Sequence, residues 1–130
     1  MPELPEVETV RAGLAPALTN AVVIGVDVLD VRSLKRHPGG VKDFQQTMIG
    51  AKVLGVVRRG KFLWFKLDRP EVLVGHLGMS GQFLVQPKSA PDERHLRVKI
   101  SLGRYDLRFI DQRTFGWLGV DETQNGLPTY

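Results

Sequence analysis

The chain has 130 residues, of which 42% are hydrophobic and 25% are charged, with a formal net charge of +4 and an isoelectric point of about 9.7. This length and composition are typical of one globular domain with its own core. The absence of cysteine excludes disulfides and a cysteine-ligated zinc site within these residues. The basic balance fits a polyanionic partner, although many basic proteins bind no nucleic acid. No apolar run approaches the roughly 18 residues of a membrane span, and the acidic start MPELPEVE is unlike a signal peptide. We therefore expect a cytoplasmic protein.

The first helix is predicted directly after the amino terminus. Pro5 suits a first helical turn, where a backbone N–H is not needed. Pro16 lacks the N–H that a helix interior requires, so we expect it to end or bend this helix. Apolar side chains recur between them at the three- and four-residue spacing of an amphipathic helix, at Val7, Val10, Leu14 and Leu18.

Three further segments follow before the β-rich part of the chain. Residues 22–29 are rich in β-branched side chains and predict a strand. Residues 32–40 are basic and then rich in Gly and Pro, which is typical of a loop. Residues 41–49 carry Phe44 and Met48 at helical spacing and predict a short second helix that ends at Gly50.

The remaining sequence predicts mostly β-structure. Residues 96–102 alternate apolar and polar side chains and can pair with residues 105–110 through a turn at Gly103. Strands this frequent favour a sandwich or barrel over a parallel sheet. Residues 121–130 are polar with Gly and Pro, like the beginning of a linker. Four more short apolar runs predict strands over residues 52–57, 62–67, 72–76 and 82–85.

The amino terminus could carry chemistry. A proline after the initiator favours removal of Met1, which would leave Pro2 with a free secondary amine. Such an amine attacking a sugar C1′ gives an iminium ion that labilises the C2′ proton and permits strand cleavage. Clustered carboxylates such as Glu3 and Glu6 can keep one member protonated as a general acid, although a helix start favours the anions. An acidic, proline-started helix cap is the commoner role for this pattern.

Four motifs point to one family. The opening MPELPEVETVR, GKFL at Gly60–Leu63, HLGMSG at His76–Gly81 and DQRTFG at Asp111–Gly116 occur in the order and spacing of the formamidopyrimidine-DNA glycosylases, which the chain therefore resembles. The resemblance covers nearly the whole chain. The related endonuclease VIII branch normally has Gly in place of Leu4 and lacks a good match to HLGMSG.

The resemblance implies four catalytic residues. Pro2 would be the nucleophile that forms a Schiff base, and Glu3 the acid that assists sugar ring opening and base departure. Glu6 would belong to the same carboxylate cluster and position the sugar. Lys61 would contact phosphate beside the lesion and donate a proton during β-elimination. A solvated lysine at a strand end is the ordinary alternative for Lys61.

The resemblance also implies residues that contact DNA. Met79 would be pushed into the base stack where the damaged nucleotide is flipped out, and Arg113 and Phe115 would fill the rest of the void. The ordinary alternatives are a core methionine at Met79 and a plain surface ion pair between Asp111 and Arg113. The other implied contacts, each with the alternative of a structural or solvated side chain, are His76, His95 and the basic edge Arg58–Arg59.

The resemblance sets the expected fold and its limits. It implies an α+β domain over residues 1–120: a two-sheet antiparallel β-sandwich with an amino-terminal helix and one further short helix. Residues 121–130 would begin the linker to the family's helix-two-turn-helix and four-cysteine zinc-finger domains, which this sequence does not include. No cofactor is therefore expected in this chain. Thr114 stands where the family commonly has arginine, so one phosphate-contacting arginine of the family is missing at this position.

The function implied is base-excision repair by a monomer acting on damaged double-stranded DNA. The enzyme would remove oxidised purines, namely formamidopyrimidines and 8-oxoguanine, and cleave the abasic site by β,δ-elimination. Base flipping follows because C1′ is inaccessible inside a duplex. The alternatives are a DNA-binding module without catalysis, a glycosylase for oxidised pyrimidines of the endonuclease VIII branch, and a plain interaction domain.

Overall fold

The structure is a computed structural model that describes the backbone over residues 4–122 and the side chains over residues 7–121. Two α-helices, one short 3-10 helix and eight strands make up this range. In chain order they are α1 (Leu4–Leu18), β1 (Gly25–Val28), the 3-10 helix (Val31–Leu34), α2 (Gly40–Met48), β2 (Val53–Arg59), β3 (Phe62–Leu67), β4 (Glu71–His76), β5 (Gly81–Pro87), β6 (Leu96–Ser101), β7 (Tyr105–Asp111) and β8 (Trp117–Glu122).

Helix α1 packs against β2 and places its apolar face in the core. The helix does not end at Pro16, where the sequence suggested an end or a bend, but continues through Leu18. Leu18 is fully buried, so the continued turn is stabilised by packing despite the missing N–H. The helix ends where Asn20 takes a left-handed conformation, with φ of 72°.

Strand β1 is half as long as the sequence suggested. The expected strand over residues 22–29 is reduced to Gly25–Val28, with Val22 forming only an isolated bridge to Lys52. The backbone N–H of Val23 bonds to Ala51, whereas that of Ile24 bonds to Ser101 on the other sheet. This segment therefore crosses between the sheets and cannot form one continuous ladder.

The eight strands form two antiparallel four-stranded sheets, which confirms the expected sandwich. One sheet has the order β1-β6-β7-β5 and the other β2-β3-β4-β8. Side chains from both sheets and from the two helices form a single main core. The alternation expected over residues 96–102 is present in β6, where Leu96, Val98 and Ile100 are buried.

Strand β8 was not expected from the sequence. It pairs with β4 from Glu71↔Glu122 to His76↔Trp117 and completes the second sheet. Asp121 and Glu122 belong to this strand, so the sheet extends two residues past the boundary expected at residue 120. The remainder of the expected linker, residues 123–130, lies outside the described residues.

Candidate nucleic-acid interface

Two connections between the sheets run side by side at one end of the sandwich. The β4–β5 crossover (Leu77–Ser80) leaves the second sheet at His76 and enters the first at Gly81. The β7–β8 crossover (Gln112–Gly116) makes the reverse passage from Asp111 to Trp117. Because His76 pairs with Trp117 and Gly81 pairs with Asp111, the two crossovers begin and end next to each other. This register brings the HLGMSG and DQRTFG motifs together.

Both crossovers carry large side chains that are exposed. Met79 is 57% exposed and Phe115 is 50% exposed. Arg113, two residues before Phe115, is also exposed. The alternative of a core methionine at Met79 is therefore wrong. Single exposed apolar side chains are common, but two on adjoining crossovers indicate the kind of apolar patch that marks a binding surface.

Asp111 is not part of a surface ion pair, which corrects the alternative considered for it. Its side chain is completely buried. One carboxylate oxygen accepts hydrogen bonds from Ser80 Oγ at 2.6 Å and from the backbone N–H of Arg113 at 3.2 Å. The other oxygen accepts from the backbone N–H of Gly116 at 2.7 Å. Asp111 thus holds the backbone beside Arg113 and leaves the Arg113 side chain exposed.

Lys61 occupies the tip of the β2–β3 hairpin. The hairpin pairs Arg59 with Phe62, and Gly60 provides the positive φ of 60° that this tight turn requires. The guanidinium of Arg59 lies 5.6 Å from the centre of the Trp64 ring and remains exposed. Arg59 is therefore available at this end of the sheet, and Lys61 lies half-buried beside it.

Arg58 is occupied within the protein. Its guanidinium lies 3.4 Å from a carboxylate oxygen of Glu8 and donates to the carbonyl of Gly60 at 3.2 Å. Of the expected basic edge, Arg59 is thus the freer of the two side chains.

His76 stands in a row of rings at the ends of three neighbouring strands. Its ring centre is 4.9 Å from that of Phe62 and 6.0 Å from that of Trp117. Its Nδ1 accepts a hydrogen bond from the backbone N–H of Gly78 at 3.1 Å. An accepting Nδ1 requires the tautomer with a proton on Nε2, which is then the nitrogen able to donate to a phosphate oxygen.

Positive charges surround this histidine. Burial lowers the pKa of His76, and the charges of Lys61, Arg36 and Lys35 lower it further. Arg36 also lies 6.0 Å from the centre of the Trp117 ring. Three positively charged side chains therefore converge around His76 at this end of the sandwich, where they would favour a polyanion.

Sequence reasoning missed Lys35 and Arg36 as members of this cluster. The signal that could have identified them is the basic run at the start of residues 32–40, although Gly and Pro in this segment predict a loop. Lys35 Nζ donates to the carbonyls of Thr114 and Phe115, at 3.1 and 3.4 Å, and so braces the β7–β8 crossover.

His95 lies at the base of the same crossover. It is half-buried before β6, has a φ of 65°, and its carbonyl accepts from the backbone N–H of Asp111 at 3.1 Å. The preceding loop is fixed by Arg108, which is completely buried and donates to the carbonyls of Ala90 and Pro91. His95 is thus held close to the candidate surface by its backbone.

The expected amino-terminal catalysts are not described by the structure. Pro2 and Glu3 lie outside the described residues. Glu6 lies in the first turn of α1, and its side chain is also outside the described part. Their roles remain predictions.

Comparison with known proteins assigns the chain to a family. The family model of the formamidopyrimidine-DNA glycosylase N-terminal domain matches residues 1–118. The chain belongs to the formamidopyrimidine-DNA glycosylase family. It is 50% identical over 131 residues to the formamidopyrimidine-DNA glycosylase of Salinispora arenicola and 51% identical over 131 residues to that of Salinispora tropica. Each alignment covers 99% of this chain and 46% of the relative. The chain therefore spans about half the length of these curated glycosylases.

Solved structures of the family have the same fold. Lactococcus lactis Fpg in complex with a FAPY-dG-containing DNA aligns with a TM-score of 0.87 and 30% identity over 93% of this chain and 44% of the other. A complex of the same enzyme with DNA containing an abasic site gives a TM-score of 0.88 at 30% identity, over 94% and 44%.

Two further properties of this glycosylase-family domain concern metal ligands and membrane spans. The chain contains no cysteine, and residues 7–121 bring no three His, Asp or Glu side chains together as metal ligands, so these residues do not fit the family's zinc. Within residues 4–122, neither helix is long and apolar enough to cross a membrane.

Proposed function

We propose that this chain is the catalytic domain of a bifunctional DNA glycosylase that removes oxidised purines and then cleaves the abasic strand. The observation that carries the proposal is that the two crossovers lie side by side and expose Met79 and Phe115. They lie beside the cluster of Lys35, Arg36, Lys61 and His76. Family membership and the DNA-bound Lactococcus lactis structures support the same conclusion.

The surface suits a duplex with one nucleotide flipped out. Lysine, arginine and the Nε2–H of His76 suit phosphate oxygens, whose contacts position the duplex without reading its sequence. Flipping leaves a gap in the stack, and unbranched or aromatic side chains can occupy it. Met79 and Phe115 are of this kind, and Arg113 supplies hydrogen-bond donors for the orphaned base.

The proposed reaction uses the amino terminus. The Pro2 nitrogen bonds to C1′ as the C1′–base bond breaks, and the base leaves with the electron pair. The nitrogen, now cationic, loses its proton and the departing base gains one. The C1′–O4′ bond then opens, O4′ takes a proton from Glu3, and the nitrogen pair forms the iminium ion. Removal of the C2′ proton expels the 3′ phosphate by β-elimination, with Lys61 donating a proton, and δ-elimination then expels the 5′ phosphate.

Reductive trapping tests the proposal. Borohydride reduces an iminium ion to a stable amine, so the 130-residue chain should become covalently attached to an oligonucleotide that carries an abasic site. Inserting Gln between Met1 and Pro2 retains the initiator and blocks the amine, and we expect it to abolish trapping. Intact-mass measurement checks the amino terminus of both proteins.

A matched control preserves the amino terminus and changes the lysine. Lys61→Ala should still be trapped. Equal trapping of the Gln-insertion protein would refute the amine mechanism and indicate Lys61 instead. No trapping by the native chain would leave DNA binding without catalysis as its activity.

A further inference from the structure

The two crossovers are joined by more than their proximity. Asp111 and Ser80 belong to different motifs, 31 residues apart, and their side chains are hydrogen bonded at 2.6 Å. The backbone N–H of Arg113 lies 3.2 Å from Ser80 Oγ, the same distance as from the Asp111 carboxylate. One buried carboxylate and one hydroxyl therefore connect the segment that carries Met79 to the segment that carries Arg113 and Phe115.

We infer that Asp111 and Ser80 are positioning residues that clamp the two crossovers into one rigid unit, so that Met79, Arg113 and Phe115 enter DNA together. This inference rests on the proposed function, because it assigns the clamp to the insertion of those three side chains. It predicts that the backbone unit exists before DNA binds and that the inserted side chains act cooperatively.

Burial explains why the Asp111 carboxylate is a strong clamp. In the part of the chain that the structure describes, this carboxylate makes no ion pair, and its side chain is completely buried. A buried anion without a cation is costly unless donors satisfy it. All three of its donors, from Ser80, Arg113 and Gly116, belong to the two crossovers. Separating the crossovers would leave the carboxylate unsatisfied.

Close backbone packing supports the same unit. A Cβ added at Gly78 would lie 2.6 Å from the backbone nitrogen of Gly116. A Cβ added at Gly116 would lie 2.6 Å from the carbonyl oxygen of His76. Neither position has room for a side chain, so the two backbones are in direct contact.

The β7–β8 crossover is also braced from two outer sides. Lys35 holds the carbonyls of Thr114 and Phe115. Arg97 Nε donates to the carbonyl of Asp111 at 2.8 Å, and its Nη2 donates to that of Gln112 at 3.3 Å. Because the backbone is already held in this way, DNA binding would restrict few rotatable bonds other than those of the exposed side chains. The conformational entropy lost on binding is smaller for such a preorganised surface.

The first test needs no DNA. In the free chain, Ser80→Ala should accelerate hydrogen exchange at the Gly116 amide by about tenfold, since the bond to Asp111 and the shared bond from the Arg113 N–H are both lost. Ser80→Thr keeps the hydroxyl and should restore protection. Ser101→Ala is the matched control, because the Ser101 hydroxyl is buried without a hydrogen-bond partner in the described part of the chain. Core amides of β3 and β4 should exchange at the native rate in Ser80→Thr and Ser101→Ala.

The second test measures cooperation on a duplex that carries a tetrahydrofuran abasic analogue. In the native background, the fold-change in Kd for the double variant Met79→Ala/Phe115→Ala should differ from the product of the two single fold-changes by at least about threefold. In the Ser80→Ala background, the same difference should be less than about twofold. Unchanged Gly116 exchange in Ser80→Ala, or additive effects in the native background, would overturn the clamp. Failure of borohydride trapping with both signatures intact would instead overturn the proposed catalysis alone.

Discussion

Replacing Gly116 by alanine should destabilise the domain through the contact between the crossovers. The new Cβ would lie 2.6 Å from the carbonyl oxygen of His76 and 2.9 Å from both the carbonyl oxygen of Leu77 and the Phe109 ring. Two of these atoms are backbone, which cannot rotate away as a side chain can. Overpacking of this kind costs about 1–3 kcal/mol. With a urea m value of about 1–3 kcal/mol/M, the midpoint of urea unfolding should fall by about 1 M.

Gly13→Ala is the matched control. Gly13 lies in α1 with nothing within 4 Å of an added Cβ. Alanine favours a helix interior over glycine by about 0.5–1 kcal/mol, so this variant should raise the midpoint. The same substitution should therefore have opposite signs at the two positions. A midpoint for Gly116→Ala at or above the native value would show that the crossovers are not in rigid contact.

Four further predictions concern the candidate site and its supports. Glu3→Gln should lower base excision by about two to four powers of ten, with a smaller effect on cleavage of a preformed abasic site; equal losses in the two assays would argue against Glu3 as the acid for base release. By NMR, the pKa of His76 should lie below 6.5, and Lys61→Met should raise this pKa because a nearby positive charge is removed. An unchanged pKa in that variant would show that Lys61 is too far from His76 to influence it. Duplex binding should weaken as salt rises, and Arg36→Ala should reduce the log–log slope by about one unit if Arg36 contacts a phosphate; an unchanged slope would exclude that contact. The Asp30 carboxylate accepts hydrogen bonds from Arg32 and lies 3.3 Å from Arg97, which braces the β7–β8 crossover. Arg32 chiefly, with Arg97, lowers the pKa of Asp30 from 3.8 to about 2, so the stabilisation is present above pH 3.8 and is lost as pH falls through about 2. After allowance for solvent screening, Asp30→Asn should cost about 1–2 kcal/mol at pH 7 and nothing below pH 2, as urea unfolding at both pH values would test.

Local pattern predicted the elements whose side chains follow one environment. β6 alternates between core and outer face, and its sequence alternates with it. β8 was missed because Trp117 packs in a second apolar cluster on the outer face while Leu118 is in the main core, so both faces of the strand carry apolar residues and the period is hidden. Its end at Asp121 and Glu122 then looked like a linker.

The candidate site was predicted by motif more than by pattern. Met79 and Phe115 have no local signal for exposure, since apolar residues are usually buried. Only the pairing of Gly81 with Asp111 and of His76 with Trp117 explains why their crossovers meet. Lys35 was missed for a similar reason, because its contacts with Thr114 and Phe115 span about 80 residues of sequence.

The contact between Ser80 and Asp111 also determines when the end of the sandwich that we propose binds DNA can form. The β4–β5 crossover is synthesised some thirty residues before its partner, and neither can be fixed until β7 and β8 have joined their sheets. Contacts of such long sequence separation form late and depend on the rest of the fold. Recognition of damaged DNA would then require a completely folded domain. In a library of variants, selection for duplex binding would recover intact folds and reject chains with only one finished sheet.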